Sequence, residues 1–181
     1  MKRLLSYLTV GLTVLIAAAV APAGPAAADS VSAPSRLLNL GTGKVLSWGG
    51  EVDPPPGSGL HVWVRVTHGF AALPGFSAPY QLRNPVTQLC LQDYGDGAHV
   101  VLTTCQADPA ADSPQLWQHH RMPDRIAHES PFGFLFNQSS GRVLTAVPST
   151  AGQPTPVVTV PPSDDPHGIP AAFQLWTALA A

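Results

Sequence analysis

The sequence predicts an all-β protein built from three hairpin-containing repeats with pseudo-threefold symmetry. First, the apolar runs that follow residue 28 are short, rich in valine and leucine, and bounded by glycine, proline, asparagine, serine or aspartate. This pattern is typical of strands and turns, and no stretch reads as a long amphipathic helix. Second, three segments align without gaps, and each starts with asparagine. Internal repeats of this kind indicate one supersecondary unit that is used three times.

Each aligned segment predicts a β-hairpin. After its asparagine it passes through a turn of small or polar residues and reaches a β-branched residue or cysteine followed by leucine. Gly43 and Gly141 suit a positive φ in the turn, and the return strand follows them. Gln88 stands where the other two segments have glycine, so we expect the middle turn to differ slightly. The segments are Asn39–Ser47, Asn84–Gln92 and Asn137–Thr145.

Each hairpin is followed by a valine-rich strand and then by a closing segment. Leu60–Val66 alternates strictly, which predicts a half-buried strand with His61, Trp63 and Arg65 on one face. The valine-rich strands are predicted in Val62–Val66, Val100–Thr104 and Val157–Val160. The closing segments are Tyr80–Leu82, Gln115–Trp117 and Gln174–Trp176, and the copies run approximately over Pro34–Ala78, Pro79–Arg125 and Ile126–Ala181.

Residues 1–28 have the order of a secretory signal peptide. Lys2 and Arg3 precede an apolar run, which is followed by helix-breaking residues and three alanines. We expect cleavage after Ala28, which would leave residues 29–181 as one secreted domain with no membrane association. A membrane anchor is the alternative interpretation, but the apolar run is short for a span of ~20 residues.

The charge of the chain argues against nucleic-acid binding, and its two cysteines predict a disulfide. Removing Lys2 and Arg3 from the nine basic residues leaves seven against eleven acidic ones, so the chain lacks the basic patch that nucleic-acid binding requires. The two cysteines, Cys90 and Cys105, are expected to form a disulfide in an exported chain. The short loop gives an expected stabilisation of about 3 kcal/mol. We expect a monomer without cofactor.

The middle copy carries a recognisable motif. It reads Cys90-Leu91-Gln92, then Cys105, then Gln115-Leu116-Trp117. Gln-x-Trp late in a repeat, after Cys-Leu and a paired downstream cysteine, resembles the ricin-B lectin family, whose fold is the β-trefoil. The third copy keeps Gln174-Leu175-Trp176 without cysteines, and the first has Tyr80-Gln81-Leu82 in place of Gln-x-Trp. The resemblance covers nearly all of residues 29–181.

The residues of the Gln-x-Trp motif are interpreted as structural. Trp117 and Trp176 are expected to bury a large apolar area around the threefold axis. Gln115 and Gln174 are expected to hydrogen-bond backbone groups of their own repeats.

The resemblance also implies where a sugar would bind. The family places a carboxylate directly after Cys-Leu, an amide and an aromatic ring on the strand before the second cysteine, and an asparagine before Gln-x-Trp. The middle copy has Gln92, Val101, Thr103 and Pro114 at these positions, the third has Thr145, Val158, Val160 and Phe173, and the first has Ser47, Trp63, Arg65 and Tyr80. The usual site is therefore altered in every copy.

If one pocket survives, the first copy is the best candidate because it keeps polar and aromatic groups. Its predicted carbohydrate-binding residues are Trp48, Trp63, Arg65 and Tyr80. The alternative is that Trp63 is a surface tryptophan covered by the loop of Pro54–Pro56.

The sequence predicts a binding protein and not an enzyme. It contains neither Gly-x-Ser-x-Gly nor His-Glu-x-x-His, and the adjacent pair His119-His120 would point to opposite faces of a strand, which makes it a poor metal site. We expect a secreted, non-catalytic, carbohydrate-binding protein with an altered or weak site. The alternative is a trefoil that binds an extracellular protein, for example as a protease inhibitor, through the loops Asp53–Gly59 and Pro161–Pro170.

Overall fold

A computed structural model of the chain describes residues 29–47, 51–53, 59–121, 131–149, 155–162 and 171–181. These residues form thirteen strands and two short 3-10 helices, which confirms the all-β prediction. The predicted signal peptide, Trp48 and most of both proline-rich loops lie outside the described residues. No helix in the described ranges is long and apolar enough to cross a membrane.

Each predicted copy contributes four strands, and one short strand, β1 (Ser30–Val31), precedes them. The first copy holds β2 (Ser35–Asn39), β3 (Val45–Leu46), β4 (Glu51–Asp53) and β5 (Val64–Thr67). The second holds β6 (Tyr80–Arg83), β7 (Leu89–Gln92), β8 (Val101–Thr104) and β9 (Leu116–Arg121). The third holds β10 (Gly133–Asn137), β11 (Val143–Ala146), β12 (Thr155–Val160) and β13 (Leu175–Ala180). The 3-10 helices are Gly59–His61 and Ala171–Gln174.

The first and fourth strands of the copies close a six-stranded barrel. Around the barrel the order is β2, β13, β10, β9, β6 and β5, and a bridge between Ser35 and Trp63 completes the ring. The second and third strands pair as three hairpins, β3–β4, β7–β8 and β11–β12. Because each hairpin continues from the same end of a barrel strand, the three hairpins gather at one end of the barrel.

Three tryptophans fill the centre of the molecule, and each is at most 1% exposed. The indole N–H of each donates to the carbonyl of the hairpin leucine in its own copy. The pairs are Trp63 with Leu46 at 3.1 Å, Trp117 with Leu91 at 3.0 Å, and Trp176 with Leu144 at 2.8 Å. Trp63 is therefore the first copy's counterpart of the two Gln-x-Trp tryptophans.

The position of Trp63 corrects the predicted layout of the first copy. Leu60–Val66 is not one strand, because a 3-10 turn over Gly59–His61 precedes a strand that starts at Val64. That strand is the fourth of its copy, and the third is β4, which pairs with β3. Tyr80–Leu82 does not close the first copy, since it lies in β6 and opens the second. Alternation identifies a strand and its faces but not the place of that strand within a repeat.

The asparagine that starts each hairpin connects neighbouring copies. Each asparagine is fully buried; its side-chain N–H donates to backbone carbonyls of the preceding copy, and its side-chain oxygen accepts from the turn that follows. The carbonyls belong to Phe173 and Leu175 for Asn39, to Gly59, Leu60 and Val62 for Asn84, and to Pro114 and Leu116 for Asn137. The accepted N–H groups are those of Thr42, Thr87 and Ser140. The repeated asparagine thus has a structural role that the sequence repeat did not explain.

The prediction that the middle turn differs is wrong. Gln88 has φ 60°, beside 66° for Gly43 and 68° for Gly141. Its backbone N–H donates to the carbonyl of Asn84 at 2.9 Å, as the two glycines do to their own asparagines. The turn geometry is imposed by the hydrogen bonds of the hairpin, and the glutamine adopts the left-handed conformation that glycine adopts more easily.

Replacing Gln88 with glycine should therefore stabilise the protein. The left-handed conformation costs an L-residue about 1–2 kcal/mol, and the greater entropy of glycine in the unfolded chain offsets about 0.5–1 kcal/mol of the gain. We expect the free energy of unfolding to rise by up to about 1 kcal/mol in urea titrations. Gln138→Gly is the matched control, because Gln138 lies in the third hairpin turn without a positive φ, and this change should destabilise. If Gln88→Gly lowered the free energy of unfolding as much as Gln138→Gly does, the explanation would be contradicted.

Candidate functional site

Three of the four sugar-site positions of the third copy are buried, and the fourth, Phe173, is half-buried. Thr145, Val158 and Val160 are all buried, and the Thr145 hydroxyl donates to the carbonyl of Val143 at 3.1 Å. A ligand could reach none of these side chains without opening the hairpin.

In the middle copy the corresponding polar groups bind one another. The Thr103 hydroxyl donates to the side-chain oxygen of Gln92 at 3.0 Å. The side-chain N–H groups of Gln115 donate to Gln92 at 3.1 Å and to Thr103 at 2.7 Å. Gln115 also donates to the carbonyl of Thr104, which is the backbone role predicted for it. This network satisfies the groups that a sugar would need.

The neighbouring carboxylate of Asp93 is also occupied. It is buried and accepts hydrogen bonds from the backbone N–H of Gly95 and from the hydroxyls of Ser140 and Thr159. Because Ser140 and Thr159 belong to the third copy, Asp93 joins two copies and is not available to a ligand.

The structure places the four predicted carbohydrate-binding residues in different environments. Trp48 lies outside the described residues. Trp63 is fully buried, so its prediction as a stacking platform is wrong, and so is the alternative of a surface tryptophan. Arg65 and Tyr80 do lie together: the guanidinium carbon is 5.7 Å from the centroid of the tyrosine ring, within cation–π distance.

Arg65 and Tyr80 meet at the end of the barrel away from the hairpins, and strand alternation puts them there. Two residues beyond each core tryptophan the three copies have Arg65, His119 and Ala178. Two residues before Leu37, Leu82 and Leu135, at the start of each first strand, they have Ser35, Tyr80 and Gly133. At the start of the three first strands, one copy therefore has the large ring of Tyr80 where the other two have a serine and a glycine. The uneven filling leaves a cavity of about 50 Å³ that Arg65, Tyr80 and His119 help to line.

A larger depression adjoins this cavity and shares Arg65 and Tyr80 with it. Its volume is about 250 Å³, and its other walls come from β1, from β5 and from the segment before β6. We call the cavity and the depression together the barrel mouth. Its polar residues are Ser30, Ser32, Arg65, Thr67, Ser77, Tyr80, His119 and Thr177.

The hydroxyls of the barrel mouth are held in place by the sheet. The side-chain oxygens of Ser30 and Thr67 are 2.6 Å apart across the β1–β5 pair. Ser32 accepts from the backbone N–H of Arg65 at 2.9 Å, and Ser77 accepts from that of His119 at 2.9 Å. The polar rim of the depression is thus fixed by one contact between side chains and by two hydrogen bonds from backbone N–H groups.

Two strong donors of the barrel mouth lack partners in the described part of the chain. Arg65 is exposed, and its guanidinium forms no ion pair or hydrogen bond with a described residue. Tyr80 is only 4% exposed, and its hydroxyl forms no hydrogen bond with a described residue. That oxygen is not among the buried polar atoms without a partner, so water or a ligand can reach it. Burial raises the pKa of Tyr80, and the nearby charge of Arg65 lowers that pKa by less. The hydroxyl therefore remains protonated and able to donate.

Sequence reasoning missed the serines, Thr67, His119 and Thr177 of the barrel mouth. His119 had a detectable signal, because it follows Trp117 at the same spacing that separates Arg65 from Trp63. The serines had none, since β1 and the segment before β6 reach the depression only through tertiary structure.

The architecture defines the class of the protein as a β-trefoil. Neither a protein-family model nor a curated protein matches the sequence. Among solved structures the chain is similar to a designed threefold-symmetric protein, ThreeFoil, at 17% identity and a TM-score of 0.59, over 82% of this chain and 99% of that one. It is also similar to the Macrolepiota procera ricin B-like lectin in complex with lactose, at 17% identity and a TM-score of 0.58, over 84% and 99% of the two chains. A third similar structure is SeviL bound to an asialo-GM1 saccharide, at 14% identity and a TM-score of 0.54, over 82% and 98%.

Proposed function

We propose that this protein is a secreted, non-catalytic, carbohydrate-binding protein that holds a sugar in the barrel mouth. The observation that carries the proposal is the depression of about 250 Å³ that Arg65 and Tyr80 help to line. Two proteins of the same fold bind saccharides in their solved structures, which supports a carbohydrate as the class of ligand.

The depression suits one sugar ring or two. Its volume lies just below the range of about 300–1,000 Å³ found for small-molecule sites. Hydroxyls of Ser30, Thr67 and Ser77 face it beside the apolar side chains of Val31 and Ala78, and a sugar ring likewise has polar edges and apolar faces. A shallow site of this size should bind at about millimolar Kd, or about 4 kcal/mol. Useful affinity would then depend on a multivalent glycan.

Secretion is supported by the leader-like order of residues 1–28. Cleavage after Ala28 would place the new amino terminus directly before β1, which forms one wall of the depression. Mass spectrometry of the exported protein should show an amino terminus at or near Asp29.

The site can be tested by NMR titration with lactose and longer neutral galacto-oligosaccharides, after a glycan array has ranked them. Backbone signals of Arg65, Thr67 and Ser77 should shift on binding. Tyr80→Phe keeps the ring and removes the hydroxyl, so it should weaken binding about threefold to tenfold, the worth of one hydrogen bond of about 0.5–1.5 kcal/mol. Gln92→Ala is the matched control, because Gln92 stands where the ricin-B lectins have their sugar-binding carboxylate. This change should leave Kd unchanged.

Two results would overturn the proposal. Loss of binding in Gln92→Ala with full binding in Tyr80→Phe would place the sugar at the usual position of the middle copy. Absence of binding to any glycan would favour the alternative of a protein-binding trefoil, which a protease-inhibition panel would then test. The loops predicted for that alternative lie mostly outside the described residues, and no structural observation favours it.

A further inference from the structure

The barrel mouth contains a positive charge without a negative one. Its lining residues include Arg65 but no aspartate or glutamate. The acidic residue next to the lining is Asp29, whose carboxylate lies 3.3 Å from Nδ1 of His68 and forms no ion pair with Arg65. A ligand that brings a carboxylate would supply the missing counter-charge.

The strongest hydrogen-bonding group of the barrel mouth is the Arg65 guanidinium, and no carboxylate or amide side chain lines the mouth as its acceptor. A guanidinium offers N–H groups and no acceptor. The Tyr80 hydroxyl is an unpartnered donor beside it. The serine and threonine hydroxyls of the rim form weaker hydrogen bonds, in which they can donate or accept. A neutral sugar binds best where a carboxylate or amide oxygen accepts from its hydroxyls, and the lining residues provide no such side chain.

We propose that the barrel mouth selects saccharides that carry a carboxylate, such as uronic acids or sialic acids, over their neutral counterparts. This inference rests on the proposed function and names the ligand class of the same site. The planar guanidinium of Arg65 matches a carboxylate with two parallel N–H···O bonds. The hydroxyl of Tyr80 and the rim serines would hold the remaining oxygens of the ring.

The attraction would be local and not a property of the whole surface. Without Lys2 and Arg3 the chain has seven basic and eleven acidic residues, so its long-range field does not favour an anion. Selectivity should therefore depend on Arg65 and should weaken with added salt as a single exposed ion pair does.

The test compares matched oligosaccharides by NMR titration: a galacturonic acid disaccharide, the corresponding galactose disaccharide, and a sulfated galactose disaccharide. The measured quantity is the ratio of their Kd values. The wild type should bind the uronic acid about tenfold more tightly than the neutral sugar. In Arg65→Gln this ratio should fall to about one. Arg142→Gln removes another arginine, which lies in the third copy beside Asp96, and should leave the ratio at about ten.

The outcomes separate this inference from the proposed function. Equal binding of acidic and neutral sugars, with signal shifts at the barrel mouth, would overturn the carboxylate selectivity and leave the sugar site standing. Equal binding of the sulfated and carboxylated sugars would overturn the choice of carboxylate in favour of any anion. A ratio that persists in Arg65→Gln would remove Arg65 from the explanation and overturn the inference. Absence of binding to all three sugars would overturn the inference together with the proposed site.

Discussion

Replacing Trp63 with alanine is expected to lower the free energy of unfolding by about 3–5 kcal/mol. The side chain is fully buried, and its removal loses the transfer free energy of the indole and leaves a cavity at the centre of the molecule. It also leaves the carbonyl oxygen of Leu46 without the hydrogen bond that the indole N–H donates to it. Urea unfolding followed by circular dichroism would measure the change.

Trp117→Ala should cost about the same, because Trp117 occupies the equivalent position and bonds Leu91 in the same way. Tyr94→Ala is the matched control: this aromatic side chain is 62% exposed, and its loss should change stability by no more than about 0.5 kcal/mol. A cost below about 1 kcal/mol for Trp63→Ala, beside a large cost for Trp117→Ala, would show that the first copy does not share the core arrangement of the second.

Removing the disulfide should cost about 3 kcal/mol. Cys90 and Cys105 are bonded, which confirms the predicted pair, and they are 15 residues apart. A loop of this length restricts the unfolded chain by about that amount. The double variant Cys90→Ala/Cys105→Ala should unfold at lower urea concentration than the wild type.

Reductant provides the control for this prediction. It should lower the urea midpoint of the wild type towards that of the double variant and leave the double variant unchanged. A wild type whose midpoint does not respond to reductant, although both thiols become labelled when it is unfolded, would show that the disulfide contributes nothing.

Much of the fold follows from local pattern. The alignment of three asparagine-led segments predicted three hairpins, and the structure has all three. Short valine-rich runs predicted β8 and β12 within a residue or two of their bounds. These predictions succeed because hairpin turns and strand alternation are set by residues a few positions apart.

The place of Trp63 shows what local pattern leaves open. Its strand was predicted from alternation, but the sequence contains no Gln before Trp63, since His61 stands there. The loops of the copies also differ in length, so spacing could not assign the strand to the fourth position of its copy. Burial of the indole and its bond to Leu46 make that assignment, and both arise from packing.

The sequence by itself determined the threefold repeat, the all-β class and the disulfide. Only the tertiary structure decided that Trp63 belongs to the core, that Gln88 adopts the conformation of a glycine, and that Arg65 and Tyr80 share a depression with β1. The physical reason is distance along the chain. A repeat is encoded within each segment, whereas the barrel mouth is formed where β1, β5 and the start of β6 come together when the barrel closes.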